Sequence, residues 1–344
     1  MKQILNTLYV QTQDAYLHLA NETVSVKVSY ETKMRVPLHH LACIVTIGKV
    51  SISPYLMGKC AEVGIGITIL DHNGKFQCRV VGKTTGNVLL RHAQFSCAIS
   101  DELTTGLAKT IVAGKIKNSR TLLLRGARES ECDEDEQALR KAAAYLAASL
   151  QQLNTEERLD GIRGIEGDAS RVHFEHFDYL VKPGLRCEFP FEKRTRRPPL
   201  NRMNALLSFL YTLVANDCTW ALEGVGLDPQ VGFLHAMRPG RTSLGLDLME
   251  EFRAPIAEKI ALTLVNRRQI SLNDFEERPG GAVWLDENGR RTVIGEYQSR
   301  KQNELKHPLF KEKIPIGLLP HIQARLLARH LRGESEYYTP MVFL

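Results

Sequence analysis

The pattern of apolar and polar positions changes character near residue 80. Before it, Val24, Val26 and Val28 alternate with polar or charged neighbours, the two-residue period of a half-buried strand. Cys43 to Ile47 and Ile67 to Leu70 read as further strands, with a short helix expected between them from about Ser53 to Glu62. Asn73-Gly74 is a turn signal ahead of a strand over Phe76 to Val81. Gly82 to Asn87 carries Gly82 and Gly86 and no apolar period, the texture of a linker. Beyond it the pattern becomes helical. Glu134 to Gln152 is rich in Ala, Leu and Glu, and Asn201 to Glu223 is a long apolar-periodic segment. Leu248, Met249, Phe252, Ile256, Ile260 and Leu264 recur mostly three or four apart, the buried stripe of a helix over Leu244 to Arg268 that Pro255 would kink or break. Leu319 to Leu331 is amphipathic and tolerates Pro320 in its first turn. The expected fold is α+β: a β-rich domain over 1–82, a linker over 83–87 and a mainly α-helical domain over 88–344.

Composition narrows the class. A chain of 344 residues with 43% hydrophobic positions is long enough for about two ordinary cores. Its formal charge of +6 suits a nucleic-acid partner, although many metabolic enzymes are equally basic. The seven cysteines are odd in number, widely spread and free of any C-x-x-C pair, which points to a reduced cytoplasmic interior rather than a disulfide framework or a zinc ribbon. The first residues hold no long apolar run of a secretory signal. No charge-free apolar stretch approaches the roughly 20 residues that span a bilayer, so no membrane partner is expected.

The candidate chemistry lies in the helical part. Asp247 and Glu250 are three apart and on one helix would share a face, expected oblique to the apolar stripe. His235 precedes Asp247 by twelve residues across the Pro239-Gly240 turn, so a helix, a tight turn and a second helix could bring it over that acidic face. Glu166 comes from elsewhere, among Gly161, Gly164 and Gly167, whose spacing leaves one side without bulk for a helix or a DNA strand. Two carboxylates and one imidazole suit Mg²⁺ or Mn²⁺, and Asp247 would orient water or His235. Such an ion neutralises charge on the non-bridging oxygens of a reacting phosphodiester and activates the attacking group. Arg194, Arg196 and Arg197 form one basic cluster, Arg238 and Arg241 flank the turn after His235, and guanidinium groups grip phosphates bidentately. Singly, each feature has an ordinary reading as a solvated or packing residue; placed together they point to metal-dependent chemistry on DNA. His39-His40 and His173 with His176 have no cysteines at finger spacing and are read as packing or surface residues.

The chain resembles CRISPR-associated protein 1, the integrase and endonuclease of CRISPR adaptation in prokaryotes. The resemblance rests on GFLH at 232–235, PGRTSLGLDLMEEFR at 239–253 and LVNRRQI at 264–270, in that order. IVAGKIKNSR at 111–120, GIRGIEG at 161–167, RRPPLNRMNALLSFLYTL from Arg196 and QARLLARHLRG at 323–333 agree with it. LNTLYV, VPLHHL and LDHNGKF in the N-terminal part look closest to the subtype I-C branch.

The resemblance implies that Glu166, His235 and Glu250 are metal ligands with Asp247 as the neighbouring acid, and that the arginine clusters hold DNA backbone. It implies a homodimer formed largely through the N-terminal parts, and a four-to-two complex with CRISPR-associated protein 2. CRISPR-associated protein 4 is implied as a trimming partner. The implied reaction inserts a short duplex at the CRISPR leader-repeat border by attack of its 3′-hydroxyl. Two positions depart from the family pattern: His173 stands where an aromatic residue is common, and Ser119 where glutamine is usual. A stand-alone nuclease acting on branched DNA in repair would use the same residues and is the alternative; a non-catalytic DNA scaffold is disfavoured by the intact ligand set.

Overall fold

The computed structural model describes residues 6–82 and 88–343, in two compact units, Met1–Thr85 and Gly86–Leu344. The stretch 83–87, expected as a linker, lies outside the described residues.

The first unit holds β1 (Asn6–Val10), β2 (Ala15–Ala20), β3 (Thr23–Val28), β4 (Glu31–Pro37), β5 (Leu41–Ile47), β6 (Val50–Ile52), α1 (Pro54–Glu62), β7 (Gly66–Leu70) and β8 (Phe76–Val80). Two four-stranded sheets result, ordered β1-β5-β7-β8 and β4-β3-β2-β6. Parallel pairing joins β1, β5 and β7, whereas β4, β3 and β2 are an antiparallel meander. Leu17, Val24, Val26, Ile44 and Ile67 share one apolar core with Leu56 and Cys60 of α1. The alternation along β3 is less clean than its sequence: Ser25 is buried along with Val24 and Val26, so the strand is covered on both faces there. The short helix begins where its cap requires, with Ser53 Oγ accepting from Leu56 N at 3.2 Å and Pro54 in the first turn.

The second unit is mainly helical: α2 (Val88–Ile99), α3 (Asp101–Glu129), α4 (Asp133–Thr155), α5 (Leu159–Glu175), α6 (Arg202–Val225), α7 (Ser243–Met249) and α8 (Lys259–Asn266). After them come β9 (Phe275–Arg278), β10 (Ala282–Leu285), α9 (Glu287–Gln302), β11 (Glu304–Lys306), β12 (Lys313–Pro315) and α10 (Leu319–Leu331). α3, α4 and α5 pack on one another, and α6 forms the centre against α7, α8 and α10. By length and composition alone α6 could cross a bilayer, but 67% of its most apolar window is buried in the unit, as befits a core helix.

The helix expected over Leu244 to Arg268, with a kink or break at Pro255, is broken into three pieces. α7 stops at Met249, Arg253–Glu258 forms a π-helical turn, and α8 resumes at Lys259. Pro255 lacks the N–H that an α-helix needs, and the backbone widens around it. Just before, Glu250, Glu251 and Phe252 donate their amides three residues back, to Asp247, Leu248 and Met249. The glutamates therefore sit on a tightened turn between two helix fragments rather than on a continuous face.

Candidate active site

Asp247 organises the site from below. It is fully buried and accepts from the backbone amides of Phe233 at 2.6 Å, Leu234 at 3.1 Å and His235 at 3.0 Å. Its Oδ1 also lies 2.7 Å from His235 Nδ1. One carboxylate thus pins three successive residues and one ring, and the Nδ1 proton given to Asp247 leaves Nε2 as the lone-pair nitrogen. Nε2 stands 3.8 Å from Glu250 Oε1. His235 is on an irregular loop, not on the helix expected before the Pro239-Gly240 turn. Gly232 makes that loop possible, because a Cβ there would lie 2.8 Å from Asp247 Oδ2 and from the Ser243 backbone. The helix face that Asp247 and Glu250 were expected to share, away from the apolar stripe, is not solvated: both are buried and the loop carrying His235 covers Asp247.

Glu166 arrives in the middle of α5 rather than at a helix start. One turn earlier, Arg163 Nε donates to Leu234 O at 2.8 Å and ties this helix to the His235 loop. A Cβ on Gly164 or Gly167 would meet nothing within 4 Å, so α5 is open there as expected, whereas one on Gly161 would run into the Glu156 side chain. Glu166 Oε1 accepts from Ser170 Oγ at 3.0 Å and contacts Lys115 Nζ. The same ammonium lies 2.9 Å from Glu250 Oε2, while Arg253 Nη2 is 3.0 Å from Oε1. Burial by itself would raise the Glu250 pKa; the charges of Arg253 and Lys115 outweigh it and hold the carboxyl down at about 2.

These groups line one cavity of about 590 Å³, together with Arg171, Phe174, Arg194 and Arg196. Among the described residues, no three His, Cys, Asp or Glu side chains already stand together as an ion cage. The reason is visible in Lys115, whose ammonium takes the position between Glu166 and Glu250. In kind, the donors still fit a hard divalent ion: two carboxylates, an imidazole whose Nε2 lies 3.8 Å from one of them, and a buried Glu250 Oε2 that receives no well-directed hydrogen bond.

The arginines divide. Arg194 is half-buried and largely committed, donating to Asn204 Oδ1 at 2.8 Å and Ser208 Oγ at 3.0 Å over the Tyr211 ring. Burial lowers its pKa to about 10. It serves the fold at least as much as a ligand, unlike the free phosphate grip expected. Arg196, Arg197 and Arg238 are exposed and Arg241 half so. Burial lowers the Arg241 pKa, and the charges of Arg238, Arg196 and Arg197 lower it further, so two clusters some forty residues apart in sequence form one basic field. His173, the departure from the family pattern, is buried with Nε2 2.8 Å from Glu258 Oε2. Tyr211 OH donates to the other Glu258 oxygen at 2.7 Å.

Sequence reasoning missed Lys115 and Arg253 as members of the site. For Lys115 the signal lay in the run IVAGKIKNSR, quoted for the resemblance without a role for its first lysine; in the structure its helix neighbours Ile111, Val112, Asn118 and Ser119 are all buried. Arg253 ended a quoted motif without a role, and the helical break that turns it toward Glu250 was not legible.

Comparison with known proteins identifies the family. The family model for CRISPR associated protein Cas1 matches residues 8–299. A Moorella thermoacetica protein named CRISPR-associated endonuclease Cas1 1 is 51% identical over 343 residues, covering 100% of both chains. A Geobacter sulfurreducens CRISPR-associated exonuclease Cas4/endonuclease Cas1 fusion is 34% identical over 97% of this chain and 60% of its own. In fold, the chain is similar to a casposase bound to integration product, with TM-score 0.82 and 21% identity over 97% of this chain and 93% of that one. It is also similar to a chain of a Cas6-RT-Cas1–Cas2 complex, with TM-score 0.84 and 21% identity over 100% of this chain and 37% of that one. With a family match over most of its length and a full-length relative at half identity, this chain belongs to the Cas1 family of CRISPR-associated proteins.

Proposed function

We propose that this chain is the endonuclease and integrase of CRISPR adaptation, joining short DNA duplexes to the repeat array in a metal-dependent reaction. The observation that carries the metal-dependent part is the cavity where Glu166, His235 and Glu250 converge beside an exposed arginine field. The 3′-hydroxyl of the incoming duplex attacks a phosphodiester at the leader-repeat border. One P–O bond forms, one P–O bond breaks, and the departing 3′-oxygen takes up a proton. Mg²⁺ or Mn²⁺, when bound by Glu166, His235 and Glu250, would withdraw charge from the non-bridging oxygens and favour ionisation of the attacking hydroxyl. Asp247 fixes the His235 tautomer and aims Nε2 at the cavity. Arg253, stacked 4.9 Å over the Tyr211 ring, keeps Glu250 ionised and in place. Arg196, Arg197, Arg238 and Arg241 hold the DNA backbone, and their exposure supports that role.

The finer features belong to the same proposal. The N-terminal motifs favour the subtype I-C branch. We assign the chain to the prokaryotic cytoplasm, as a homodimer that assembles four-to-two with Cas2 and works with Cas4. The Cas4/Cas1 fusion supports the last pairing by analogy.

The test is strand transfer of a labelled short duplex into a plasmid carrying leader and repeat, with Cas2 and Mn²⁺ or Mg²⁺, comparing wild type with His235→Ala. Metal-dependent joining at the repeat border, falling to background in the variant, is expected. Cutting without joining would favour the branched-DNA repair nuclease, and joining that survived the substitution would sink the assigned site.

A further inference from the structure

α3 sends a cation between two carboxylates of the cavity. Lys115 is only 12% exposed along its side chain, and its ammonium touches Glu166 of α5 and, at 2.9 Å, Glu250 beyond α7. One group therefore joins three elements. A buried ammonium is tolerated only when paired, and two facing carboxylates with no cation between them repel. Of the charged groups here, Glu166, Asp247 and Glu250 against Lys115 and Arg253 leave one net negative charge; without Lys115 there would be two. The two cations are not equivalent. Arg253 holds the other oxygen of Glu250 and is stacked on Tyr211, whereas Lys115 is a flexible chain lining the open cavity, with room to withdraw.

We propose that Lys115 is an exchangeable internal counter-ion: its ammonium holds Glu166 and Glu250 in register and must withdraw before a divalent cation can be seated between them. This rests on the metal reading of the site given above. The lysine leaves as an ammonium, with no bond made and no proton moved. Ion binding is therefore a competition, weaker than the same carboxylates would give alone.

Calorimetric titration of Mn²⁺ alone, without DNA, into wild type, Lys115→Met and Glu166→Gln tests this. Lys115→Met is expected to bind Mn²⁺ at least about tenfold tighter than wild type, because a unit charge has been removed from contact distance. Its metal-free form is expected to melt below wild type, with the gap closing at saturating Mn²⁺. The proposal is overturned if wild type binds Mn²⁺, Glu166→Gln does not, and Lys115→Met binds no tighter than wild type. If neither wild type nor Lys115→Met binds Mn²⁺, the metal reading itself is wrong and this inference goes with it. Should Lys115→Met fail to fold without metal, Lys115→Gln, which keeps a donor and loses the charge, serves for the same comparison.

Discussion

Asp247 uses both carboxylate oxygens on one loop, and this is the residue-scale feature on which the site depends. An asparagine has the same shape but a single acceptor oxygen. It would set an NH₂ group against either two backbone amides or the His235 ring. Asp247→Asn should fold with a loss of roughly 1–3 kcal/mol from unsatisfied buried donors. It should also lose roughly 10–100-fold in Mn²⁺ affinity, as expected when a metal-orienting partner is removed. Thermal melts and Mn²⁺ calorimetry check the two effects together. A variant that matched wild type in both would show that something else orients His235. Much of this residue level was legible beforehand. Glu166, His235 and Glu250 were identifiable from their types, spacing and motif contexts, and they do converge. The three-residue spacing of Asp247 and Glu250 states which side chains start on a common face, however, and says nothing of what lies on that face. The GFLH loop covers it, and Lys115, 51 residues before its nearer partner, fills the gap.

At the scale of elements, the broken helix after α7 decides where neighbouring glutamates point. Glu250 faces the cavity, whereas Glu251 faces away and is fully buried. Glu251 receives Met341 N at 2.6 Å, Gln323 Nε2 at 3.0 Å and the Tyr338 hydroxyl. Burial nevertheless pushes its pKa up from 4.5 to about 7, against those hydrogen bonds. A carboxyl whose folded pKa is raised binds its proton more tightly in the native state. Its contribution is therefore full below about pH 4.5 and is lost as pH rises through about 7. Relative to Glu251→Gln, wild type should lose up to roughly 3 kcal/mol between those limits. Urea melts of both proteins at about pH 5 and about pH 8 measure the difference, and parallel pH dependence would refute it. The elements themselves were unevenly readable. α10 has the bounds its stripe predicted, because it packs one face inward. α3 left no such stripe: it meets α2, α4, α5 and the π-turn, so its buried positions run around the cylinder. An interruption at Pro255, as a kink or a break, was foreseen; its resolution into a π-turn depends on packing that no local pattern encodes.

Across the whole molecule, the two-part texture of the sequence, β-rich and then helical, reappears as two compact units. The net charge of +6 gave no location; the arginine field took shape only when the fold brought Arg196 and Arg197 within electrostatic reach of Arg241. Contacts of still greater sequence separation close the back of the site. Asn118 on α3 donates to Glu251 O and Met341 O, both at 2.8 Å, and accepts from Phe343 N at 2.9 Å, while Pro340 lies against Gly114 where a Cβ would approach within 2.8 Å. The irregular tail over 338–343 is thus laced to a helix more than two hundred residues earlier in the chain, on the turn of α3 that carries Lys115. Closing so long a loop is entropically slow, and contacts of high sequence separation form late in folding. After dilution from denaturant, helical circular dichroism should recover before Mn²⁺ binding does, and simultaneous recovery would contradict this order. A newly folding chain would therefore pass through a stage with most of its helices formed and its cutting site still unmade, a delay that spares nearby DNA from a half-built nuclease.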